Sequence, residues 1–177
     1  MPIYFWDDPD GSKYHSAYFD VYPNTWRHGD FVIVTARGGV VMLGRSDATL
    51  NPGGVRIGTA EIYRQLEQMA EIDDSVVVGQ DWNNDVLVIL FVKPAEGIKL
   101  TDELKNKIKQ TIRTNASPRH VPAKIISMPA VPYTLNMKKV ELAVKKVIQG
   151  QEVLNKDALS NPEALDCYAN IKELQQP

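Results

Sequence analysis

Cysteine is almost absent from this sequence, since Cys167 is the one thiol among its 177 residues. A single thiol cannot build a disulfide framework or a cysteine zinc cluster within one chain, so the composition fits a reducing, cytoplasmic setting. No apolar run approaches the ~20 residues of a membrane-spanning helix. Residues 1–8 are acidic and aromatic, and they lack the positive start and apolar stretch of a signal peptide.

An excess of charge of either sign is also missing. The formal net charge is −2, so no basic field favours nucleic acid as a partner. Hydrophobic residues make up 44% of the chain and charged residues 24%, which is ordinary for a globular protein. The length suffices for one domain with a real core, or for one small domain with extensions. We therefore expect no nucleic acid and no membrane among its partners.

The apolar pattern from residue 47 onward predicts the order helix, strand, strand, helix, strand, helix. Thr59 and Thr101 are expected to cap the first two helices, each of which has acidic residues in its first turn. The β-rich runs 76–78 and 86–92 flank a polar turn, and residues 124–128 have the pattern of a short strand. A third helical apolar face, over 140–148, ends before a glycine. The order predicts an α+β fold with helices on a small sheet.

Residues 1–46 differ in character from the rest. The first 28 residues hold four of the seven tyrosines and two of the three tryptophans. Residues 31–34 and 40–43 flank an Arg-Gly-Gly turn and predict a β-hairpin. By themselves, these aromatic residues and a lone hairpin would expose apolar surface to solvent. We therefore interpret residues 1–46 as the end of a larger domain. Residues 47–150 then form the compact domain, and 151–177 a tail with a short helix beginning at Asn161-Pro162.

The most informative stretch is residues 44–62. A Gly-Arg-x-Asp turn precedes a Gly-rich loop, a lone arginine and the start of a helix. Two arginines and a flexible backbone suit a loop that moves and holds phosphate. A hairpin, a turn and a helix with solvated arginines would explain the same residues equally well.

This stretch resembles the hinge of the adenylate-forming acyl-CoA ligases, in which a large N-terminal domain is joined to a small, mobile C-terminal domain. The resemblance implies that 47–150 is the lid, a three-stranded sheet with helices, and that a terminal piece of the N-terminal domain with the hairpin precedes it. Asp47 aligns with the hinge residue, and Arg45 and Arg56 align with arginines that reach the nucleotide. Gly54 aligns with a glycine along which the pantetheine of CoA passes.

Lys138 is the candidate catalytic residue. Residues 132–138 read Pro-Tyr-Thr-Leu-Asn-Met-Lys and resemble the family loop Pro-x-Thr-x-x-Gly-Lys, whose lysine serves adenylation. A compact ammonium between a carboxylate and an α-phosphate stabilises the charge that spreads over the phosphoryl oxygens. On the residues alone, a solvated lysine is the commoner outcome. Met137 replaces the family's glycine, and it is the less favourable residue if that position needs a positive φ.

Two further residues acquire roles from the resemblance. Asp30, in His-Gly-Asp, stands where the family has Thr-Gly-Asp and where the carboxylate accepts hydrogen bonds from both ribose hydroxyls. An acidic residue before a strand is the plain alternative. Arg113 falls where acetyl-CoA ligases place an arginine against the 3′-phosphate of CoA, although a helix-dipole interaction alone would explain it. Arg119 and His120 are nearby alternatives.

Within the family, the chain most resembles the acetoacetyl-CoA synthetases, in residues 18–30, 132–141 and 161–165. The implied substrates are ATP, acetoacetate and CoA, and the products are acetoacetyl-CoA, AMP and pyrophosphate. The chain has no superfamily phosphate loop, adenine-pocket motif or acyl pocket, which in the family belong to the large domain together with the Mg²⁺ ligands.

We therefore expect a C-terminal fragment that does not turn over alone, and whose partner is a separate N-terminal domain. Two alternatives remain open at this point. One is a non-catalytic module that binds CoA or a nucleotide, or docks on a partner through residues 1–28. The other is a remnant of a truncated gene.

Overall fold

The computed structural model describes residues 2–175, which divide into two compact units on either side of the Asp30–Phe31 bond. The helices and strands have the following bounds: α1 Ser12–Tyr18, β1 Asp30–Val34, β2 Val40–Arg45, α2 Thr59–Leu66, β3 Ile72–Trp82, β4 Asp85–Pro94, α3 Asp102–Asn115, β5 Lys124–Ser127 and α4 Glu141–Ile148. Short 3-10 helices connect several of them, and three of these lie between Lys156 and Gln175. The predicted order of elements from residue 47 onward is confirmed.

The first unit is built around α1, a helix that the sequence analysis did not assign. The carboxylate of Asp8 accepts the backbone N–H groups of Lys13 and Tyr14 at 2.9 and 2.8 Å, which satisfies donors in the first turn of the helix. The rings of Phe5, Tyr14 and Tyr18 lie 5.2–5.7 Å apart. Aromatic contacts at this spacing stabilise the unit although α1 has no fully buried residue.

In the second unit, the predicted β1–β2 hairpin is confirmed. The Thr35 N–H donates to the Gly39 carbonyl at 2.8 Å and closes the turn. The apolar side chains of these strands stay exposed in large part: Val32, Ile33, Val34, Val40, Val41 and Met42.

The sheet of the second unit has the order β3-β4-β5, with β3 and β4 antiparallel and β4 and β5 parallel. Asn83 and Asn84 both take positive φ, 48° and 61°, which matches the twist of a two-residue hairpin turn. Side chains of β4 alternate between the two faces of the sheet, and both faces are buried. Two separate hydrophobic cores result.

The first core lies between the sheet and the helices α2 and α3. Its members include Leu50, Ile57, Ile62, Leu66, Val77, Leu90, Ile108 and Ile112. Thr101 caps α3 as predicted, because its hydroxyl accepts the Leu104 N–H at 3.3 Å. The predicted cap at Thr59 is wrong. Thr59 is 3% exposed inside the first turn of α2, and the helix is capped at Gly58, whose N–H donates to the Glu61 carboxylate at 2.9 Å.

The second core lies on the opposite face and is closed by α4 and the C-terminal 3-10 helices. Its members include Val76, Val78, Ile89, Phe91, Val144, Leu165, Tyr168 and Leu174. The short helix expected after Asn161 is present as the 3-10 helix Pro162–Tyr168. The Tyr168 ring packs edge-on against Phe91 at 4.9 Å, so the tail contributes to the core rather than trailing from it.

Candidate functional site

Lys138 is exposed near the tip of a tight hairpin formed by residues 133–139, here called the Lys138 hairpin. The Thr134 N–H donates to the Lys138 carbonyl at 2.8 Å, and the Met137 N–H donates to the Thr134 carbonyl at 2.9 Å. The Lys138 N–H donates to the Thr134 hydroxyl at 3.1 Å. These bonds fix the backbone of Lys138 while its ammonium extends into solvent.

Met137 has φ 58° and takes the left-handed conformation of this three-residue turn. The sequence analysis made the disadvantage of Met137 conditional on a positive φ, and the backbone meets that condition. A non-glycine residue in this region costs about 1–2 kcal/mol. The hydrogen bonds of the turn hold Met137 in that strained conformation, and its side chain is exposed, so Met137 keeps the turn geometry that a glycine would give.

The base of the hairpin is held by Asp74 from β3. Tyr133 and Lys139 pair across the two strands of the hairpin. The Tyr133 hydroxyl donates to Oδ2 of Asp74 at 2.8 Å, and Nζ of Lys139 donates to Oδ1 at 2.7 Å. Lys139 also donates to the carbonyl of Ser75. The single carboxylate of Asp74 thus contacts both strands of the hairpin that carries Lys138.

Tyr63, a half-buried residue of α2, contacts this base. Nζ of Lys139 lies 4.5 Å from the ring centre of Tyr63, and the Tyr63 hydroxyl donates to Oε1 of Glu141 at 3.0 Å. The Val77 N–H donates to the same hydroxyl at 3.1 Å. Burial, and then the charge of Glu141, raises the pKa of Tyr63 well above its ordinary value. Burial also raises the pKa of Glu141, although Tyr63 and Lys139 oppose that shift.

Gly54 lies in an exposed loop between Leu50 and Ile57, here called the glycine loop. The backbone groups of Leu50 and Ile57 exchange two hydrogen bonds of 2.9 Å and close it. Gly53 and Gly54 have φ 56° and 78°. The Gly53 N–H donates to Oδ1 of Asp85 at 2.8 Å, a bond that lowers the pKa of that carboxyl. Gly54 leaves open space where a side chain would stand, so an extended ligand can approach the backbone closely.

Arg45 and Asp47 form a two-point ion pair at the predicted hinge. Nε and one terminal nitrogen of Arg45 donate to the two oxygens of Asp47 at 3.2 and 3.0 Å. Asp47 also lies on the rim of a cavity of about 180 Å³ that Glu141 and Lys145 line from α4. Arg56 is exposed at the end of the glycine loop.

Asp30, Arg113, Arg119 and His120 are the remaining candidates. Asp30, the first residue of β1, is 2.5 Å from Nδ1 of His28. Arg113 is exposed in the last turn of α3, and Arg119 is exposed in the 3-10 helix that follows. His120 is directed inward, with Nδ1 2.8 Å from the Ser117 hydroxyl, so it is less available to a ligand than either arginine.

Six residues that support these candidates escaped the sequence analysis: Tyr63, Asp74, Asp85, Tyr133, Lys139 and Glu141. Their partners are distant in sequence, since Tyr133 lies 59 residues from Asp74 and Tyr63 lies 78 residues from Glu141. The only local signal was a second lysine directly after Lys138 and a pair of aspartates before a β-rich run. Neither pattern identifies its partner.

Among residues 2–175, no group of three His, Cys, Asp or Glu side chains is placed to hold a metal ion. The helices described there are too short or too polar to cross a bilayer.

Known proteins of similar sequence show what this chain is related to. Acetoacetyl-coenzyme A synthetase of Rhizobium meliloti (strain 1021) is 59% identical over 175 residues, which is 99% of this chain. Acetoacetyl-CoA synthetase of Xenopus tropicalis is 51% identical over 177 residues. In sequence, the chain matches the C-terminal region of the acetoacetyl-CoA synthetases over almost its whole length. It spans 27% and 26% of the lengths of these two relatives and matches their C-terminal part.

Solved structures show the same similarity. Acetoacetyl-CoA synthetase from Streptomyces lividans is 45% identical, covers 99% of this chain and superposes with a TM-score of 0.90 over 27% of its own length. A benzoate CoA ligase from Burkholderia xenovorans is 21% identical and covers 81% of the chain, with a TM-score of 0.64 over 27% of its own length, which shows a shared fold. No family model matches the chain.

Proposed function

We propose that this chain supplies the mobile C-terminal part of an AMP-forming acetoacetate–CoA ligase. The observation that carries the proposal is Lys138, a solvent-exposed lysine on a hydrogen-bonded hairpin. That arrangement suits a group that must enter a nucleotide site held by another part of the enzyme. The relatives named as acetoacetyl-CoA synthetases support acetoacetate as the acid.

In the first step, a carboxylate oxygen of acetoacetate attacks the α-phosphorus of ATP, and pyrophosphate leaves. Lys138 lies between the two anions and stabilises the negative charge on the phosphoryl oxygens. Asp30 accepts hydrogen bonds from the ribose hydroxyls, and Arg45 contacts the nucleotide. Arg45 already forms an ion pair with Asp47. To contact the nucleotide, Arg45 must share its guanidinium between Asp47 and the nucleotide, or release Asp47.

In the second step, the domain turns about Asp47, which withdraws Lys138 and brings the glycine loop to the acyl-adenylate. The CoA thiol loses its proton to solvent, its sulfur attacks the acyl carbon, and AMP leaves with the electron pair of the broken C–O bond. Gly54 lets pantetheine pass, Arg56 contacts the nucleotide phosphate, and Arg113 pairs with the 3′-phosphate of CoA. A cationic guanidinium recognises a phosphate through two parallel hydrogen bonds.

The proposal places the pockets for adenine and acetoacetate, and the Mg²⁺ ligands, in an N-terminal domain outside this chain. Mg²⁺ would there neutralise charge on the phosphates of ATP. The expected setting is the cytoplasm. By itself, the chain is expected to release no AMP from ATP and acetoacetate.

The test is a hybrid enzyme, in which this chain replaces the matching 27% of the Rhizobium meliloti relative. The hybrid is expected to release AMP only when acetoacetate, CoA and ATP are all present, and the relative without its C-terminal part is expected not to. A hybrid that folds but forms neither acyl-adenylate nor thioester would contradict the proposal. Calorimetry on the chain alone checks the rival reading, because tight binding of CoA or ATP would favour an independent binding module.

A further inference from the structure

Asp74 has no assigned role, yet its two carboxylate oxygens bond two residues that face each other at the base of the Lys138 hairpin. We propose that Asp74 is the positioning residue for Lys138 in the adenylation step. It acts through Tyr133 and Lys139 and does not touch substrate. This inference rests on the proposed function of Lys138.

The bonds from Asp74 to Tyr133 and Lys139 are here called the clamp, and the two acceptor oxygens of the carboxylate set its geometry. A carboxylate has two oxygens, and here each oxygen accepts from a different strand, at 2.8 Å from Tyr133 and at 2.7 Å from Lys139. Two such bonds fix both the separation of the strands and the rotation of the hairpin relative to β3.

Partial burial strengthens these contacts. The side chains of Asp74 and Lys139 are 20% and 24% exposed, so water screens their attraction less than at an open surface. Lys139 gains a further contact with the face of the Tyr63 ring. Burial, followed by the hydrogen bond to Asp74, raises the pKa of Tyr133, which therefore stays protonated as the donor.

The two strands of the hairpin have different additional supports. The first strand is held by the C-terminal tail, because the Tyr133 N–H donates to Asn161 at 2.9 Å and the Leu135 N–H donates to Ala158 at 3.0 Å. The second strand, which carries Lys138, is held at its base through the side chain of Lys139. Loss of the Asp74 charge should therefore loosen the strand of Lys138 more than its neighbour.

The neighbouring residue provides a matched control. Asp73 also pairs with a lysine, at 2.6 Å from Nζ of Lys93, but Lys93 lies on β4 and not on the hairpin. Asp73→Asn and Asp74→Asn remove the same charge one residue apart. Tyr133→Phe is a second test variant, which removes the other bond of the clamp without changing any charge.

The first measurement is amide hydrogen exchange on the full 177-residue chain. Asp74→Asn should speed the exchange of the Lys138 and Thr134 amides about tenfold, while Asp73→Asn should leave both unchanged. Equal exchange in the two variants, with the fold retained, would overturn the proposal.

The second measurement separates the two half-reactions in the hybrid enzyme. Asp74→Asn should slow formation of acetoacetyl-adenylate about 10- to 100-fold. Thioester formation from supplied acetoacetyl-adenylate should stay within about twofold of the unmodified hybrid, since Lys138 has no part in it. Tyr133→Phe should show the same split to a smaller extent.

Two results would contradict a positioning role. An equal loss in both half-reactions would mean that Asp74 only maintains the fold, and faster exchange without slower adenylation would mean that the hairpin needs no clamp. If Lys138→Ala leaves adenylation intact in the hybrid, the proposed function itself fails. In that case the exchange measurement still decides whether Asp74 holds the hairpin.

Discussion

The two faces of the β3–β5 sheet are built differently and carry different candidate groups. The first core is covered by the regular helices α2 and α3, and the elements around it carry Gly54, Arg56 and Arg113. The second core is covered by α4 and a run of 3-10 helices, and the Lys138 hairpin lies on that side. Groups expected to serve the two half-reactions therefore lie on elements that pack against opposite faces of one sheet.

The proposed function requires one small domain to serve two steps, and this separation would allow that without a change in the domain's own structure. Each face has a closed core, so a rotation about the hinge can exchange the faces while the sheet stays rigid. The faces also differ in how their loops are fixed. The glycine loop uses glycine at its left-handed positions, whereas the Lys138 hairpin tolerates Met137 there and is clamped by side chains.

The largest expected effect tests whether both hydrophobic cores contribute equally to the stability of the fold. Ile108→Ala in the first core and Leu165→Ala in the second should each lower the free energy of unfolding by about 2–5 kcal/mol, because both side chains are fully buried. Urea unfolding of the chain measures this. A loss below about 1 kcal/mol for Leu165→Ala would show that the tail does not share in the cooperative core.

The next effect concerns the first face alone. Arg113→Ala in the hybrid enzyme should raise the KM for CoA about tenfold and leave adenylation unchanged, since a charge-assisted contact to phosphate would be lost. Arg119→Ala is the matched control, because Arg119 is an exposed arginine of the segment just after α3. A larger effect from Arg119→Ala would transfer the proposed role to that residue.

A smaller effect concerns the turn on the second face. Met137→Gly should raise the free energy of unfolding by about 0.5–1 kcal/mol, because relief of left-handed strain outweighs the entropy that glycine gains when unfolded. Asn136→Gly is the control, since φ at Asn136 is not positive and glycine there should destabilise. Urea midpoints of the two variants should thus move in opposite directions.

The smallest effect is a pH dependence of stability at Glu141, whose hydrogen bond to Tyr63 joins α4 to α2. Burial raises the pKa of Glu141 above its ordinary 4.5, so the folded state holds this proton more tightly than the unfolded state. The stabilising contribution is complete below about pH 4.5 and is lost as the pH rises through the folded-state value. The stability of the unmodified chain relative to Glu141→Gln should therefore fall as the pH rises above about 4.5. A difference that grows with pH would contradict the assignment.

The sequence predicted the regular parts of this structure well. Leu104, Ile108 and Ile112 recur at helical spacing and are buried as expected, because the period of an α-helix is visible in the chain itself. The cap of α2 was misassigned to Thr59, since Gly58 is required by its close approach to the backbone of Leu43, a contact between distant segments.

The support of the candidate site was less accessible to sequence reasoning. Lys138 and Gly54 stand in recognisable local patterns, whereas the bonds from Asp74 to Tyr133 and Lys139 join residues about 60 apart in the chain. The buried tail was hidden for another reason. Its 3-10 helices have short and irregular apolar spacing, so Leu165 and Tyr168 gave no periodic signal.

The most direct test of the two-face account is Lys138→Ala in the hybrid enzyme, with both half-reactions measured separately. Lys146→Ala is the control, because Lys146 is an exposed lysine at the end of α4. The account predicts that Lys138→Ala slows acetoacetyl-adenylate formation at least about 100-fold and leaves thioester formation from supplied adenylate nearly unchanged. An equal loss of both half-reactions, or no loss of adenylation, would contradict it.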